Sequence, residues 1–162
     1  MIICNINQFL NLISINEKIL MGVDLGSKKT GIAFSDPKRN FSLASRVLDH
    51  KNNNLSVKVM DLIKEYSVGG IVVGIPLNDD GSSNKMCQSI KDKTKNMDFK
   101  FVSNNINLPI IFWDESYTSI EAFENIKNIL TTKKRQNKVV DKFAAQIILQ
   151  DFLNYIKKLN EK

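Results

Sequence analysis

Three places in the chain put carboxylates where an apolar run ends or a helix is expected to begin: Asp24, the Asp114-Glu115 pair and Asp141. An ionised carboxylate next to a core is costly unless it is paired, hydrogen-bonded or bound to a cation. Asp24 closes the run Ile19-Leu20-Met21-Gly22-Val23 and is followed by Gly26 and then by Lys28 and Lys29. Successive side chains of a strand point to opposite faces, so only one of Asp114 and Glu115 can share a side with Asp24. Asp141 precedes Ala144 and Ala145, small residues that let the start of a helix come close to a sheet. Carboxylates meeting at one point repel each other and invite Mg²⁺ or Mn²⁺, hard cations that prefer oxygen ligands and suit phosphate chemistry. Two such ions about 3.5 to 4 Å apart stabilise the attacking and leaving oxygens of an in-line phosphodiester displacement. Taken singly, each acid also has a plainer role: Asp24 in its turn, Asp114 or Glu115 opening the next helix, Asp141 favouring a helix N-terminus.

The elements that must position these acids follow from hydrophobic period. Residues 5–15 carry Ile6, Phe9, Leu10 and Ile13 at helical spacing, which predicts a short amphipathic helix ahead of the main fold. The runs 19–23 and 31–34, joined through Gly26, read as a hairpin. A third strand is expected over 41–48, followed by a helix with Leu55, Val59, Leu62 and Ile63 on one face. Gly70-Ile71-Val72-Val73-Gly74 has the β-branched character of a central parallel strand, and Pro76 stops it. A helix is expected between Ser82 and about Asn104, then a strand over 109–113, a helix over 119–130, a basic connector over 131–138, and a final helix over 141–159. Strands that give way to alternating helices and strands describe a mixed α/β sheet with helices on its faces. No internal repeat is evident.

Composition bounds the setting. The 162 residues suffice for one domain with a sizeable core, and 23 Lys and Arg against 17 Asp and Glu leave a net charge of +6, which favours a polyanionic partner such as nucleic acid. Ordinary solubilising charge explains the same balance. Cys4 and Cys87 have no metal-ligand spacing, so a reducing cytoplasmic setting is expected. No stretch approaches the roughly 20 apolar residues of a membrane span, and the N-terminus lacks the pattern of a signal peptide. His50, the single histidine, sits in a polar run, which leaves little basis for a histidine nucleophile or a zinc site.

The order of four motifs is more specific than any one acid. VDLGSKKTGIAFSD (23–36), VVGIPLNDDGS (72–82), DESYTSIEA (114–122) and VVDKFAAQIILQDFL (139–153) resemble the successive signatures of the YqgF family, the pre-16S ribosomal RNA nucleases or Holliday-junction-resolvase-like proteins of bacteria. The resemblance implies a ribonuclease-H-like fold, a mixed five-stranded sheet flanked by helices, preceded here by an N-terminal helical extension (1–18) ahead of a nuclease domain (19–162). It implies metal-dependent endonuclease activity, with Mg²⁺ or Mn²⁺ held by an acidic triad that falls on Asp24, Glu115 and Asp141. Lys28 and Lys29 take the places of the family's lysine and arginine and are assigned to phosphate contact. Asn78, Asp80, Gly81 and Ser82 form a polar loop after a central strand; Asn78 and Ser82 are assigned to the substrate groove, beside the plainer reading of turn chemistry. Ser116 stands where the family usually has arginine, so Lys133, Lys134 or Arg135 are candidates to supply the missing phosphate contact. Thr30 stands in an apolar position of the pattern, a departure expected to matter little.

The expected partners are nucleic acids, precursor ribosomal RNA or branched DNA, possible ribosomal assembly intermediates, and no membrane; the chain is a monomer or a homodimer. The alternatives are resolution of four-way DNA junctions, which requires a dimer, and a weakly active nucleic-acid-binding module of ribosome assembly. A D-x-G turn also opens actin-like ATPases, but those need a second lobe and a second glycine-rich loop that this sequence lacks.

Overall fold

The computed structural model describes residues 1–14, 18–50, 54–78, 80–114 and 133–161, with the backbone alone for 133–142. Six strands form one sheet in the order β1-β6-β5-β2-β3-β4. The hairpin read from the sequence is β2 (Ile19–Leu25) and β3 (Lys29–Ser35), paired antiparallel, and β4 (Ser42–Asp49) adds antiparallel to β3. β5 (Val68–Ile75) and β6 (Ile110–Asp114) extend the other side in parallel. β5 is buried along its whole length, as its unbroken β-branched run requires of a central strand.

Among the described residues the sheet has six strands rather than five. The additional strand, β1 (Ile2–Ile3), pairs parallel with β6 through Ile2–Ile110 and Ile3–Ile111. The N-terminal segment is therefore more than a helix beside the fold. It contributes an edge strand and then α1 (Ile6–Ser14), whose Phe9 and Ile13 are buried. Arg39 secures the end of this segment, its guanidinium donating to the carbonyls of Ile13 and Lys18. Arg39 itself sits in a loop organised by Asp36, which accepts from the backbone N–H groups of Lys38, Asn40 and Phe41. Burial alone would raise the Asp36 carboxyl, but these donors hold it below the ordinary aspartate value.

Alternation sorts the core into two layers. Met21, Val23, Leu25, Ile32, Phe34, Ile71 and Val73 face α2 (Leu55–Glu65) and α3 (Lys85–Ser103). Leu20, Ala33, Val72 and Ile111 face α1 and the final helix, α4 (Lys133–Asn160), through Phe9, Leu149, Phe152 and Leu153. Phe152 is fully buried and meets Phe9 and Trp113 edge to face, with ring centroids 5.7 and 5.2 Å away. The α4 side of the sheet is built for close approach. A Cβ on Gly22 would lie 2.7 Å from Leu149 Cβ and 2.8 Å from the Ala145 carbonyl oxygen, closer than such atoms can come.

α4 corrects the expectation of a basic connector followed by a helix near Asp141. The helix already runs at Lys133, so Lys133, Lys134 and Arg135 belong to its first turn and Asp141 lies within it rather than at its start. Lys, Arg and Gln are good helix formers, and a polar stretch of them can extend a helix without any apolar period. The reading of Asp141 as an acid that favours a helix N-terminus falls with that boundary. The helix expected over 119–130 lies outside the described residues.

Candidate active site

Asp24 is the penultimate residue of β2 and is half-buried, on the sheet face that carries α4. Its neighbours across the sheet are glycines. Gly31 on β3 is its direct partner, and Gly74 on β5 lies one step beyond the Val23–Val73 pair. Neither has a side chain. Gly74 pairs in turn with Trp113 on β6, so the row across the sheet runs Gly31, Asp24, Gly74, Trp113. The carboxylate is thus flanked across the sheet by two residues that add no side chain to its face.

The direction of α4 decides which part of the helix stands above Asp24. Gln150 donates to the Asn40 carbonyl at 3.1 Å, and Gln146 donates to the Ser42 carbonyl at 2.8 Å. Moving toward the N-terminus of α4 thus moves forward along β4, which runs in the same sense as β2 because both are antiparallel to β3. With Ala145 over Gly22, backbone position 141, about one helical turn earlier, lies toward the Asp24 end of β2.

Strand parity also settles the place of Asp114. Ile111 and Trp113 pack on the α4 side, whereas Ile110 and Phe112 belong to the α2/α3 side. Asp114 therefore alternates onto the face opposite Asp24. Glu115 and Ser116 lie outside the described residues, as do the side chains of Lys133, Lys134, Arg135 and Asp141. Among the described residues no three His, Cys, Asp or Glu side chains gather as a metal site. The predicted donor set is all carboxylate oxygen, which fits Mg²⁺ or Mn²⁺ better than zinc or copper.

Lys28 is exposed in the β2–β3 turn, and Lys29 is the exposed first residue of β3. Lys29 has the same strand parity as Gly31, the partner of Asp24, and so belongs to the Asp24 face. Asn78 and Ser82 are exposed in a loop that closes on itself. Asn78 Nδ2 donates to Ser82 Oγ at 2.8 Å, Gly81 takes the left-handed φ of 76° that this turn needs, and Asp80 accepts from Ser82 N at 2.9 Å. The Ser82 hydroxyl and N–H hold the Asp80 carboxyl below its ordinary value. Asn84 ties the loop to α3. Its side chain accepts from Cys87 N at 2.9 Å as the N-cap and donates to the Pro76 carbonyl at 2.7 Å. We expect Asn84→Ala to cost about 1 kcal/mol, read as a shift in the urea midpoint at unchanged slope.

Three features were not legible in advance. His50 holds the β2–β3 turn through Thr30 Oγ1 at 2.7 Å and the Ser27 carbonyl at 3.1 Å. The Thr30 departure consequently matters, because its fully buried hydroxyl requires this partner. Trp113 donates from Nε1 to Asp151 at 2.8 Å, at a groove of about 980 Å³ with Lys91, Lys95 and Lys158 in its lining. The groove includes Trp113 but not Asp24, so the two are neighbours rather than a single site.

Comparison with solved structures gives the class of fold. The chain superposes on the Thermus thermophilus resolvase RuvC in complex with a Holliday junction substrate with a TM-score of 0.59 at 12% identity, covering 87% of this chain and 96% of that one. It superposes on the yeast mitochondrial Holliday junction resolvase Ydc2 with a TM-score of 0.52 at 11% identity, covering 88% and 82%. This is the ribonuclease-H-like architecture that the motifs implied. Among sequences, a protein of Pelagibacter ubique named "Putative pre-16S rRNA nuclease" is 35% identical over 144 residues, which is 86% of this chain and 91% of that relative. One of the same name from Rickettsia felis is 32% identical and covers 98% of this chain and 100% of its own. The chain belongs to the RuvX family, described as Holliday junction resolvase, whose profile matches residues 18–155.

Proposed function

We propose that the chain is a divalent-metal-dependent endonuclease of the cytoplasm that hydrolyses phosphodiester bonds and trims the ends of precursor 16S ribosomal RNA. The observation that carries this reading is the glycine-flanked Asp24 below the N-terminal half of α4, with backbone position 141 toward it. In this reading Asp24, Glu115 and Asp141 hold Mg²⁺ or Mn²⁺. The bound ions would activate water and stabilise charge on the transferring phosphate. Asp24 presents its oxygens on a row of the sheet where Gly31 and Gly74 add no side chain. Lys28 and Lys29 offset backbone charge at the turn, and Lys133, Lys134 and Arg135 do so from the first turn of α4, in place of the arginine that Ser116 replaces. Asn78 and Ser82 border the strand that passes beneath the substrate.

Resolution of branched DNA is the second reading, favoured by the family description and by the neighbour bound to a Holliday junction. The test is cleavage of end-labelled precursor 16S RNA and of a synthetic four-way DNA junction in parallel, with Mg²⁺, Mn²⁺ or chelator. Discrete shortening of the RNA that stops with chelator is the expected result. Symmetric junction cleavage by a dimer supports the resolvase instead, and RNA binding without metal-dependent cleavage of either substrate leaves a binding module of ribosome assembly.

A further inference from the structure

The β2–β3 turn offers three consecutive carbonyls, and each meets a donor from elsewhere in the fold. Gly26 O accepts from Lys93 Nζ at 3.0 Å, Ser27 O from the His50 ring at 3.1 Å, and Lys28 O from the His50 backbone N–H at 3.0 Å. The other ring nitrogen of His50, Nε2, lies 2.7 Å from Thr30 Oγ1. A carbonyl can only accept, so Nδ1 carries the hydrogen, and in the neutral ring Nε2 accepts from the threonine hydroxyl. One residue at the end of β4 thus meets the turn in three places.

Strand alternation turns this contact into a statement about the lysines. Thr30 pairs with Leu25 and is fully buried on the α2/α3 side. With Thr30 held there, Lys29 must project from the opposite face, where Asp24 lies. A slip of one residue would exchange the two. We propose that His50 is a positioning residue: by fixing the Thr30 hydroxyl and the Ser27 and Lys28 carbonyls, it sets Lys28 and Lys29 toward the nucleic-acid phosphates beside Asp24. This rests on the reading of those lysines as phosphate contacts and names what orders them.

The test uses the full chain and the affinity for an end-labelled precursor 16S RNA as a function of salt. The Lys28→Ala/Lys29→Ala variant is expected to reduce the salt slope by about 2, one for each lysine that neutralises a phosphate. His50→Ala is expected to weaken binding about tenfold and to lower the same slope. Added to the lysine variant, it should cost nothing further, because it acts through the groups already removed. His50→Gln, whose carboxamide offers a donor and an acceptor, should recover most of the affinity. A role in stability alone would lower the melting temperature and leave the slope in place. Additive losses, or an unchanged slope in His50→Ala, overturn the proposal. If His50→Ala does not fold, Thr30→Val gives the same decision: a reduced slope supports the proposal and an unchanged one overturns it. An unaffected lysine variant overturns the reading of Lys28 and Lys29, and the role of His50 with it. A weakened lysine variant with full binding by the His50 variants overturns the role of His50 alone.

Discussion

Asp24→Asn is expected to lower the rate of metal-dependent cleavage of precursor 16S RNA by about 10³-fold, equivalent to about 4 kcal/mol of transition-state stabilisation. The substitution keeps the size of the side chain and removes its charge. It also turns one oxygen, an acceptor suited to a hard cation, into an amide that donates. Asp24 is half-buried, and because asparagine has nearly the same size and shape the fold should survive. RNA affinity should hold or rise, since a negative charge facing a phosphate has been removed. Single-turnover cleavage and RNA binding, measured on the same preparation, separate these effects. Asp114→Asn is the matched control: that acid sits on the opposite face of the sheet and should retain activity within about twofold. Equal losses in the two variants would remove Asp24 from the site.

Half of that contrast was available from the sequence, because strand alternation needs no coordinates; which acid of the pair faces away was fixed only by the packing of Ile111 and Trp113. The continuous apolar runs at 19–23, 31–34 and 109–113 located β2, β3 and β6 to within a residue or two, and parity then allowed only one acid of the Asp114-Glu115 pair on the side of Asp24. β1 escaped because two residues, Ile2 and Ile3, carry no period; what makes them a strand is the free edge of β6. The start of α4 escaped for a related reason. Residues 133–138 contain no apolar position, and only their helix propensity could have marked them. The clamp on the β2–β3 turn was illegible in a stronger sense. Nothing in a polar run around His50 indicates that its ring returns to Ser27 and Thr30 some 20 residues earlier, since that contact exists only once β4 has paired with β3. The acids that the family resemblance joins to Asp24 come from distant parts of the chain, and backbone position 141 comes toward Asp24 only through the approach of α4 to β2.

Gly22 governs that approach, and Gly22→Val should destabilise the fold by about 3 kcal/mol or more, beyond the ordinary cost of an overpacked core. The added Cβ would meet Leu149 Cβ at 2.7 Å and the Ala145 carbonyl oxygen at 2.8 Å. Rotation about χ1 moves neither the Cβ nor a backbone carbonyl, so relief requires the helix to shift away from β2. Leu149 is fully buried in the layer that also holds Phe152 and Phe9, and a shift opens that layer as well. Valine favours strands elsewhere, so propensity predicts the opposite sign and the clash alone accounts for a loss. Urea unfolding monitored through Trp113 measures the change, and Gly22→Ala should fall between the two because it adds the same Cβ without the further methyl groups. Any Gly22 variant that remains folded should cleave more slowly than its stability implies, because the displaced helix carries position 141 away from Asp24. Stability equal to the parent would mean that α4 does not pack on β2 as closely as the geometry of Gly22, Ala145 and Leu149 requires.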